Sequence, residues 1–144
     1  MGNYPKYTGK EFFVNINDVE SQVFPWGTLQ WLNEPRTTGA DNMTAGIVTL
    51  LPGLGHNQHH HKGADEILYV ISGSDCEQYI INDKGERFSQ VMNKGDLVFI
   101  PADWDHGTVN RGSEPMVLFA VYQYPGSEAE LATLADRIDP PVNI

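Results

Sequence analysis

The chain has 144 residues, a formal net charge of −10 at pH 7 and one cysteine. This length suits a single domain, 1–144, that buries a core without disulfides, and an inert buried thiol is expected at Cys76. The acidic balance repels phosphate backbones and anionic lipid, which argues against nucleic-acid and membrane partners. Without an apolar signal core or an apolar run of roughly 18 residues, a soluble cytoplasmic protein is expected.

The N-terminal segment, 1–40, is predicted to supply strands near 11–16 and 24–32. The second of these is dense in aromatic residues, which usually build a core or a subunit interface. A place for Trp26 or Trp31 on the wall of a ligand pocket is the less favoured alternative.

Short apolar or alternating runs, separated by turn sequences, follow from 44 to 124. They predict strands at 44–51, 66–72, 75–82, 86–92, 96–101, 106–110 and 116–124. This spacing is typical of an all-β jelly-roll barrel that encloses a pocket. On the strand at 75–82 the alternation leaves two inward-facing sets open, namely Cys76, Gln78 and Ile80 or Glu77, Tyr79 and Ile81.

A histidine cluster lies within this barrel region. Residues two apart in a strand point to the same face, so His59 and His61 are expected to present both imidazoles to one side. Glu66 begins the next apolar run, which reads as a strand that pairs back on the first. His60 should face the other way in a structural role, and His56, after a Pro-Gly turn, is expected to be exposed rather than at a pocket mouth.

A C-terminal helix is predicted over 127–138. Ser127 and Glu130 form a candidate capping box, and Pro140 and Pro141 would end the helix. The apolar residues that share one helical face are Leu131, Leu134, Ala135 and Ile138. This stripe is expected to pack on the outside of the barrel, with a dimer interface as the alternative.

Two motifs, Gly53-x5-His59-x-His61-x4-Glu66-x6-Gly73 and Gly95-x5-Pro101-x4-His106-x3-Asn110, resemble the paired metal-site motifs of the cupins. The resemblance covers about 46–124 and implies the cupin jelly-roll barrel, also called a double-stranded β-helix. It further implies a homodimer and a divalent transition metal (Fe, Mn, Zn, Ni or Cu) with four protein ligands, His59, His61, Glu66 and His106. Many cupins have glycine where this chain has Asp103, a residue that tolerates positive φ. Turn chemistry is favoured for Asp103 and Asp105 over orienting a ligand imidazole.

The region 100–115, together with Ala120-Val121-Tyr122, is similar to the archaeal cupin-type phosphoglucose isomerases. There the tyrosine that matches Tyr122 lies in the substrate pocket, and Lys62 and Trp104 are further candidates for the pocket surroundings. The leading hypothesis is metal-assisted isomerisation or enolisation of a small oxygen-rich molecule, sugar-like or a keto acid. Glu66 and Tyr122 are the candidate catalytic residues.

Other chemistries are also compatible with the sequence. The ligand set also resembles that of the quercetin dioxygenases, so an iron- or copper-dependent dioxygenase is the second hypothesis. A non-catalytic protein that binds metal and a small molecule is the third, and oxalate decarboxylation lacks a specific supporting residue. Imidazole ligands suit several metals, so the pocket lining should discriminate: an apolar pocket favours oxygen chemistry and a polar one favours sugars.

Overall fold

The computed structural model describes residues 7–139, and their strands form two packed sheets. The strands are β1 Ser21–Phe24, β2 Gly27–Asn33, β3 Met43–Leu50, β4 Gly55–His59, β5 Glu66–Ser72, β6 Cys76–Ile81, β7 Arg87–Met92, β8 Leu97–Ile100, β9 Asp105–Asn110, β10 Met116–Gln123 and β11 Arg137–Asp139. A 3₁₀ helix spans Ile16–Asp18 and one α-helix, α1, spans Ser127–Leu134. The sheet orders are β11-β1-β2-β3-β10-β5-β8 and β4-β9-β6-β7. This is the predicted all-β jelly roll with a short C-terminal helix.

The core lies between the sheets and follows from strand alternation. On β10 the inward side chains are Met116, Leu118, Ala120 and Tyr122, all at most 2% exposed. The backbone of β10 pairs in antiparallel fashion with β3 on one side and with β5 on the other. Because β10 is central, truncation of Leu118 to alanine would cost about 2–5 kcal/mol.

The seven strands predicted between 44 and 124 are confirmed, with boundaries within a residue or two. The open question on β6 is also resolved, since Cys76 and Gln78 are buried while Glu77 and Tyr79 are partly exposed. Burial raises the pKa of the Cys76 thiol to about 11, so it stays protonated at neutral pH, as expected of an inert thiol.

The N-terminal predictions are partly wrong. Residues 11–16 do not form a strand, and Phe12 and Phe13 are 92% and 91% exposed. The predicted strand at 24–32 is instead a hairpin, in which β1 and β2 meet across Pro25 and Trp26. Proline has no backbone N–H for a ladder, so the chain turns there.

The C-terminal helix is shorter than predicted. It ends at Leu134, and Arg137–Asp139 becomes β11, which pairs with β1. The N–H of Asp136 donates to the Val23 carbonyl at 2.7 Å, and Asp139 precedes a proline, which favours extended backbone. These residues therefore pair with the open edge of the sheet at β1, although helical periodicity predicts them to be part of α1. No helix in 7–139 is long and apolar enough to cross a bilayer.

Candidate metal centre

Three histidines converge between the sheets. His59 ends β4 and is the antiparallel partner of His106 on β9, while His61 follows just after β4. The ring centroids lie 4.2 Å apart for His59 and His106, 5.1 Å for His59 and His61, and 5.5 Å for His61 and His106. One ligand atom from each ring lies within 4.8 Å of the other two, so the three histidines can share a metal ion. The predicted convergence of His59 and His61 is confirmed.

Glu66 joins two of these rings from the first position of β5. Its Oε1 atom lies 3.1 Å from His106 Nε2 and 3.6 Å from His61 Nε2. Within the described chain, Glu66 Oε1 and His106 Nε2 are buried and neither makes a hydrogen bond. Buried polar atoms without partners are costly. A cation between them would satisfy both, and three imidazoles with one carboxylate form a suitable donor set for a divalent transition metal.

The other ring nitrogen of each histidine already has a partner. His59 Nδ1 lies 2.7 Å from the Asn57 carbonyl oxygen, and His106 Nδ1 lies 3.0 Å from that of Trp104. His61 Nδ1 lies 3.2 Å from Ser127 Oγ. A carbonyl oxygen can only accept, so Nδ1 of His59 and His106 carries the proton and Nε2 is available as the ligand atom. The Ser127 hydroxyl can accept from or donate to His61 Nδ1.

The imidazoles are prepared electrostatically for ligation. Burial lowers the pKa of His59 to about 2, and the neighbouring His56 and His106 rings act in the same direction. Burial also lowers the pKa of His61, although Glu66 opposes the shift. Both rings are therefore neutral at pH 7, which is the form that binds a metal.

A cavity of about 50 Å³ opens beside the cluster. Its apolar walls include Leu29, Trp31, Leu50, Leu68, Leu118 and Leu131. The polar groups outside the candidate ligands are His56, Thr108 and Tyr122. Trp31, for which a wall position had been the less favoured alternative, is both a core residue and part of this wall.

Tyr122 lines the cavity through its ring. The ring stacks on His61 with parallel planes and a centroid distance of 5.2 Å. Its hydroxyl donates to Glu128 Oε2 at 3.0 Å. Burial, reinforced by the negative charge of Glu128, raises the pKa of Tyr122, so the phenol stays protonated. The predicted catalytic tyrosine is at the site, but its hydroxyl is engaged by another residue.

His56 is not the exposed turn residue that the sequence predicts. It lies on β4 and lines the cavity, with Nδ1 2.9 Å from His59 Nδ1 and its ring edge-on to Trp26. The pairing of β4 with β9 shifts register between His56 and His59. Such an irregularity breaks the two-residue alternation, so residues three apart share a face and sequence parity gives the wrong answer.

His60, which lies between His59 and His61 in the sequence, points away from the cluster as predicted. His60 is exposed and its Nδ1 lies 3.0 Å from Asp105 Oδ1, outside the cluster. Asp105 therefore contacts no candidate ligand side chain through that oxygen, and its second oxygen accepts from Gln58 at 3.4 Å. These contacts agree with the interpretation that Asp105 does not orient a ligand imidazole, but Asp105 is the first residue of β9 and not a turn residue.

The remaining predictions for the pocket surroundings are wrong for this cavity. Lys62 is exposed, and Trp104 packs against the cluster of Leu68, Ile100 and Ala120. Neither is among the described residues that line the cavity. Asp103 adopts φ of 69° and accepts a hydrogen bond from the Gly63 N–H at 2.9 Å, which confirms turn chemistry.

Residues 46–122 match the family model described as Cupin domain. The chain belongs to the cupin family. It is 29% identical over 108 residues to a germin-like protein of Morus alba, covering 69% of this chain and 51% of that protein. It is 38% identical over 66 residues to a glucose-6-phosphate isomerase of Thermococcus gammatolerans, covering 44% of this chain and 34% of that protein.

Among solved structures, the oxalate decarboxylase of Lactobacillus farciminis in complex with formate superposes with a TM-score of 0.71. The identity is 24%, over 78% of this chain and 33% of that one, which shows a shared fold. The cupin chain thus spans about half or less of the length of these relatives. The resemblance of its second motif region to the phosphoglucose isomerases is confirmed as sequence similarity.

Proposed function

We propose that this cupin is a metal-dependent enzyme in which His59, His61, His106 and Glu66 hold a divalent transition ion. The observation that carries the proposal is the buried approach of Glu66 Oε1 to His106 Nε2 at 3.1 Å, with no hydrogen bond made by either atom, beside the rings of His59 and His61. Two groups that make no hydrogen bond to each other at that distance are best explained by a shared cation. The relatives with enzyme names support catalysis rather than storage.

The cavity limits the substrate class. A volume of about 50 Å³ admits a small molecule or a small part of one, and the walls are largely aliphatic and aromatic. Among the described residues that line it there is no Lys or Arg, so a phosphate group would have no cationic side chain to bind it in addition to the ion. We propose a small substrate with a mainly apolar body and a pair of oxygen atoms at the metal end.

The favoured reaction is oxidation by dioxygen, the second of the hypotheses raised by the sequence. A bound iron or copper ion would supply coordination for substrate oxygens and activation of dioxygen. The apolar residues Leu68, Leu118 and Leu131 exclude water from the reacting centre. Cleavage of a substrate carbon–carbon bond would supply all four electrons that reduce dioxygen. Both oxygen atoms would then enter the two carbonyl products, and no external reductant would be needed.

Isomerisation or enolisation is the second candidate, favoured by the similarity to the Thermococcus enzyme. It needs a group that moves a proton beside the substrate. Glu66 would be that group, and Tyr122 is less suitable because its hydroxyl already donates to Glu128. The wall composition gives this reaction less support than oxidation.

The test begins with the metal content of protein purified without an affinity tag or added metal. Iron or copper would be followed by oxygen-electrode assays with 1,3-diketones and 2-keto acids, and we expect uptake that is lost in His106→Ala and retained in His60→Ala. Isomerisation would be favoured if the protein contained zinc, manganese or nickel, exchanged substrate hydrogen for deuterium in D₂O and took up no oxygen. Binding without turnover would leave a binding protein, and failure to bind any metal would overturn the proposal.

We further propose that the chain acts as one cupin domain and pairs as a homodimer through the outer face of β5, β8 and β10. The side chains on this face are Ile67, Tyr69, Ile71, Leu97, Phe99, Val117, Phe119 and Val121, in antiparallel register. Leu97 and Phe99 are 54% and 51% exposed. None of these residues is charged, although the chain carries −10, so two copies can meet here without opposing acidic surfaces.

Light scattering after size exclusion tests this interface. We expect Phe99→Lys to convert the dimer to a monomer. Phe88→Lys is the matched control, because Phe88 is 52% exposed but lies on β7, outside that face. A wild-type monomer, or equal behaviour of the two variants, would contradict the interface.

A further inference from the structure

Helix α1 begins at the candidate metal centre, and its first residue does not act as a helix cap. The sequence predicts a capping box from Ser127 to Glu130, yet the N-cap position is Gly126, which has no side chain to cap the helix. The Ser127 hydroxyl instead lies 3.2 Å from His61 Nδ1. A residue that gives up a favourable local contact often does so at a functional site.

His61 differs from the other two histidines in the source of its Nδ1 partner. His59 and His106 contact backbone carbonyls two residues before them, within their own strand regions. The Ser127 partner of His61 lies 66 residues away and is a side chain. The orientation of His61 therefore depends on where α1 docks, whereas the other two rings are oriented locally.

Glu128 holds the first turn of α1 against the barrel. It is 4% exposed, and its Oε2 accepts hydrogen bonds from the Tyr122 hydroxyl at 3.0 Å and the Gly126 N–H at 2.9 Å. Its backbone carbonyl accepts from Gln22 Nε2 at 3.3 Å. The anchored turn thus contacts the edge of the His61 imidazole through Ser127, and Glu128 holds the tyrosine of β10 that stacks on the face of the same ring.

The rest of α1 has little independent stability. An eight-residue helix is marginal in water, and Leu134 near its end is 65% exposed. Leu131, one turn after Ser127, lines the cavity. The docked position of the helix rests on the contacts of its first turns with the metal-site wall, on the packing of Ala135 against the core and on the pairing of β11 with β1.

We propose that Ser127 is a positioning residue for His61, and that docking of α1 and metal binding stabilise each other. The inference rests on the proposed metal function. With Nε2 of His61 on the ion, Nδ1 carries the ring proton and donates to Ser127 Oγ. Ligation then favours the docked helix, and by linkage the docked helix raises metal affinity by the same factor.

The test compares zinc affinity in Ser127→Ala, Thr133→Ala and Ser127→Thr by competition with a fluorescent zinc chelator. We expect Ser127→Ala to bind about 10–100-fold more weakly, the range for loss of a group that orients a metal ligand. Thr133→Ala removes a hydroxyl from the same helix that donates to the Glu130 carbonyl, so its affinity should be unchanged. Ser127→Thr keeps the hydroxyl and should recover most of the affinity.

Hydrogen exchange of wild-type protein gives a readout that needs no variant. We expect zinc to increase protection across 127–134. Unchanged protection, or equal affinity of Ser127→Ala and Thr133→Ala, would overturn the inference while leaving the metal site in place. Failure of the wild type to bind any of iron, copper, zinc, manganese and nickel would overturn both the inference and the proposed function.

Discussion

The residues of the candidate centre are arranged so that each histidine ring is held in place by a contact to its Nδ1 atom. Nδ1 of each histidine has an oxygen partner, and Nε2 of His61 and His106 faces Glu66. Loss of any one ligand leaves an incomplete set, whereas loss of a neighbouring exposed histidine does not. Whether a histidine can bind the metal therefore depends on which side of the chain its ring occupies.

Alanine substitutions should distinguish the ligand histidines from the exposed histidine beside them. His61→Ala or His106→Ala is expected to release the metal while the barrel stays folded, because the strands and the core do not depend on these rings. His60→Ala removes a ring that contacts Asp105 outside the cluster and should retain the metal. Elemental analysis after dialysis, with circular dichroism as a check of folding, measures this. Stoichiometric metal in both ligand variants would disprove the assignment.

The stability of the metal-free protein should fall in mild acid. Burial lowers the pKa of His56 to about 4 and that of His59 to about 2, whereas the pKa of each ring in the unfolded chain is about 6.5. Between these values the unfolded state binds more protons, so the free energy of unfolding decreases as pH falls below about 6.5. Each ring contributes at most about 1.4 kcal/mol per pH unit.

Urea denaturation of chelator-treated protein at pH 7, 6 and 5 measures this dependence. His56→Ala should show a shallower slope than the wild type, because one buried neutral imidazole is removed. An identical slope would mean that His56 protonates in the native state as easily as in the unfolded chain.

At the scale of elements, the hairpin of β1 and β2 shows how closely the strands pack. Gly27 opens β2 with φ of 153°, and a Cβ atom there would lie 1.8 Å from the Thr49 carbonyl oxygen. Only glycine allows this approach of β2 to β3. The hairpin carries Leu29 and Trp31 to the cavity wall, so this one contact supports the site as well as the sheet.

Gly27→Ala should therefore destabilise the fold strongly. Backbone strain costs about 1–3 kcal/mol and overpacking a similar amount. Gly85→Ala is the control, because Gly85 also has a positive φ, 80°, but a Cβ atom there would meet nothing within 4 Å in the described chain beyond its immediate neighbours. Denaturant unfolding should give a clearly larger loss for Gly27→Ala, and equal losses would contradict the steric account.

For the whole molecule, the metal should contribute to global stability. The ligands lie at the end of β4, after it, on β5 and on β9, so an ion would join strands of both sheets. An ion that binds only the native state adds about 4 kcal/mol when its free concentration is 1,000 times Kd. For a domain of this size the Tm should rise on the order of 10 °C.

Calorimetry of chelator-treated protein with and without added metal measures the effect. His106→Ala should lose the metal-dependent rise in Tm, and His60→Ala should keep it. A wild-type Tm that does not respond to any of iron, copper, zinc, manganese or nickel would contradict a native metal site.

The sequence alone determined the features that depend on short spacing. Within β5, β6 and β10, alternation specifies which side chains face inward once the burial of one residue is known. The two-residue interval also predicted that His59 and His61 would lie together, although His61 follows the end of β4. The turn at Asp103 and the strands from 44 to 124 follow from local backbone preference. The approach of His106 to these residues came from the resemblance to cupins, not from periodicity.

Only the tertiary structure decided the features that depend on long-range pairing. A register shift opposite β9 turns His56 toward the cavity, an open sheet edge converts Arg137–Asp139 from predicted helix to strand, and docking of α1 directs Ser127 to His61. In each case the local pattern fits more than one conformation, and a contact between segments distant in sequence selects one. Burial and hydrogen bonding across the barrel outweigh local propensity because they satisfy groups that no nearby residue reaches.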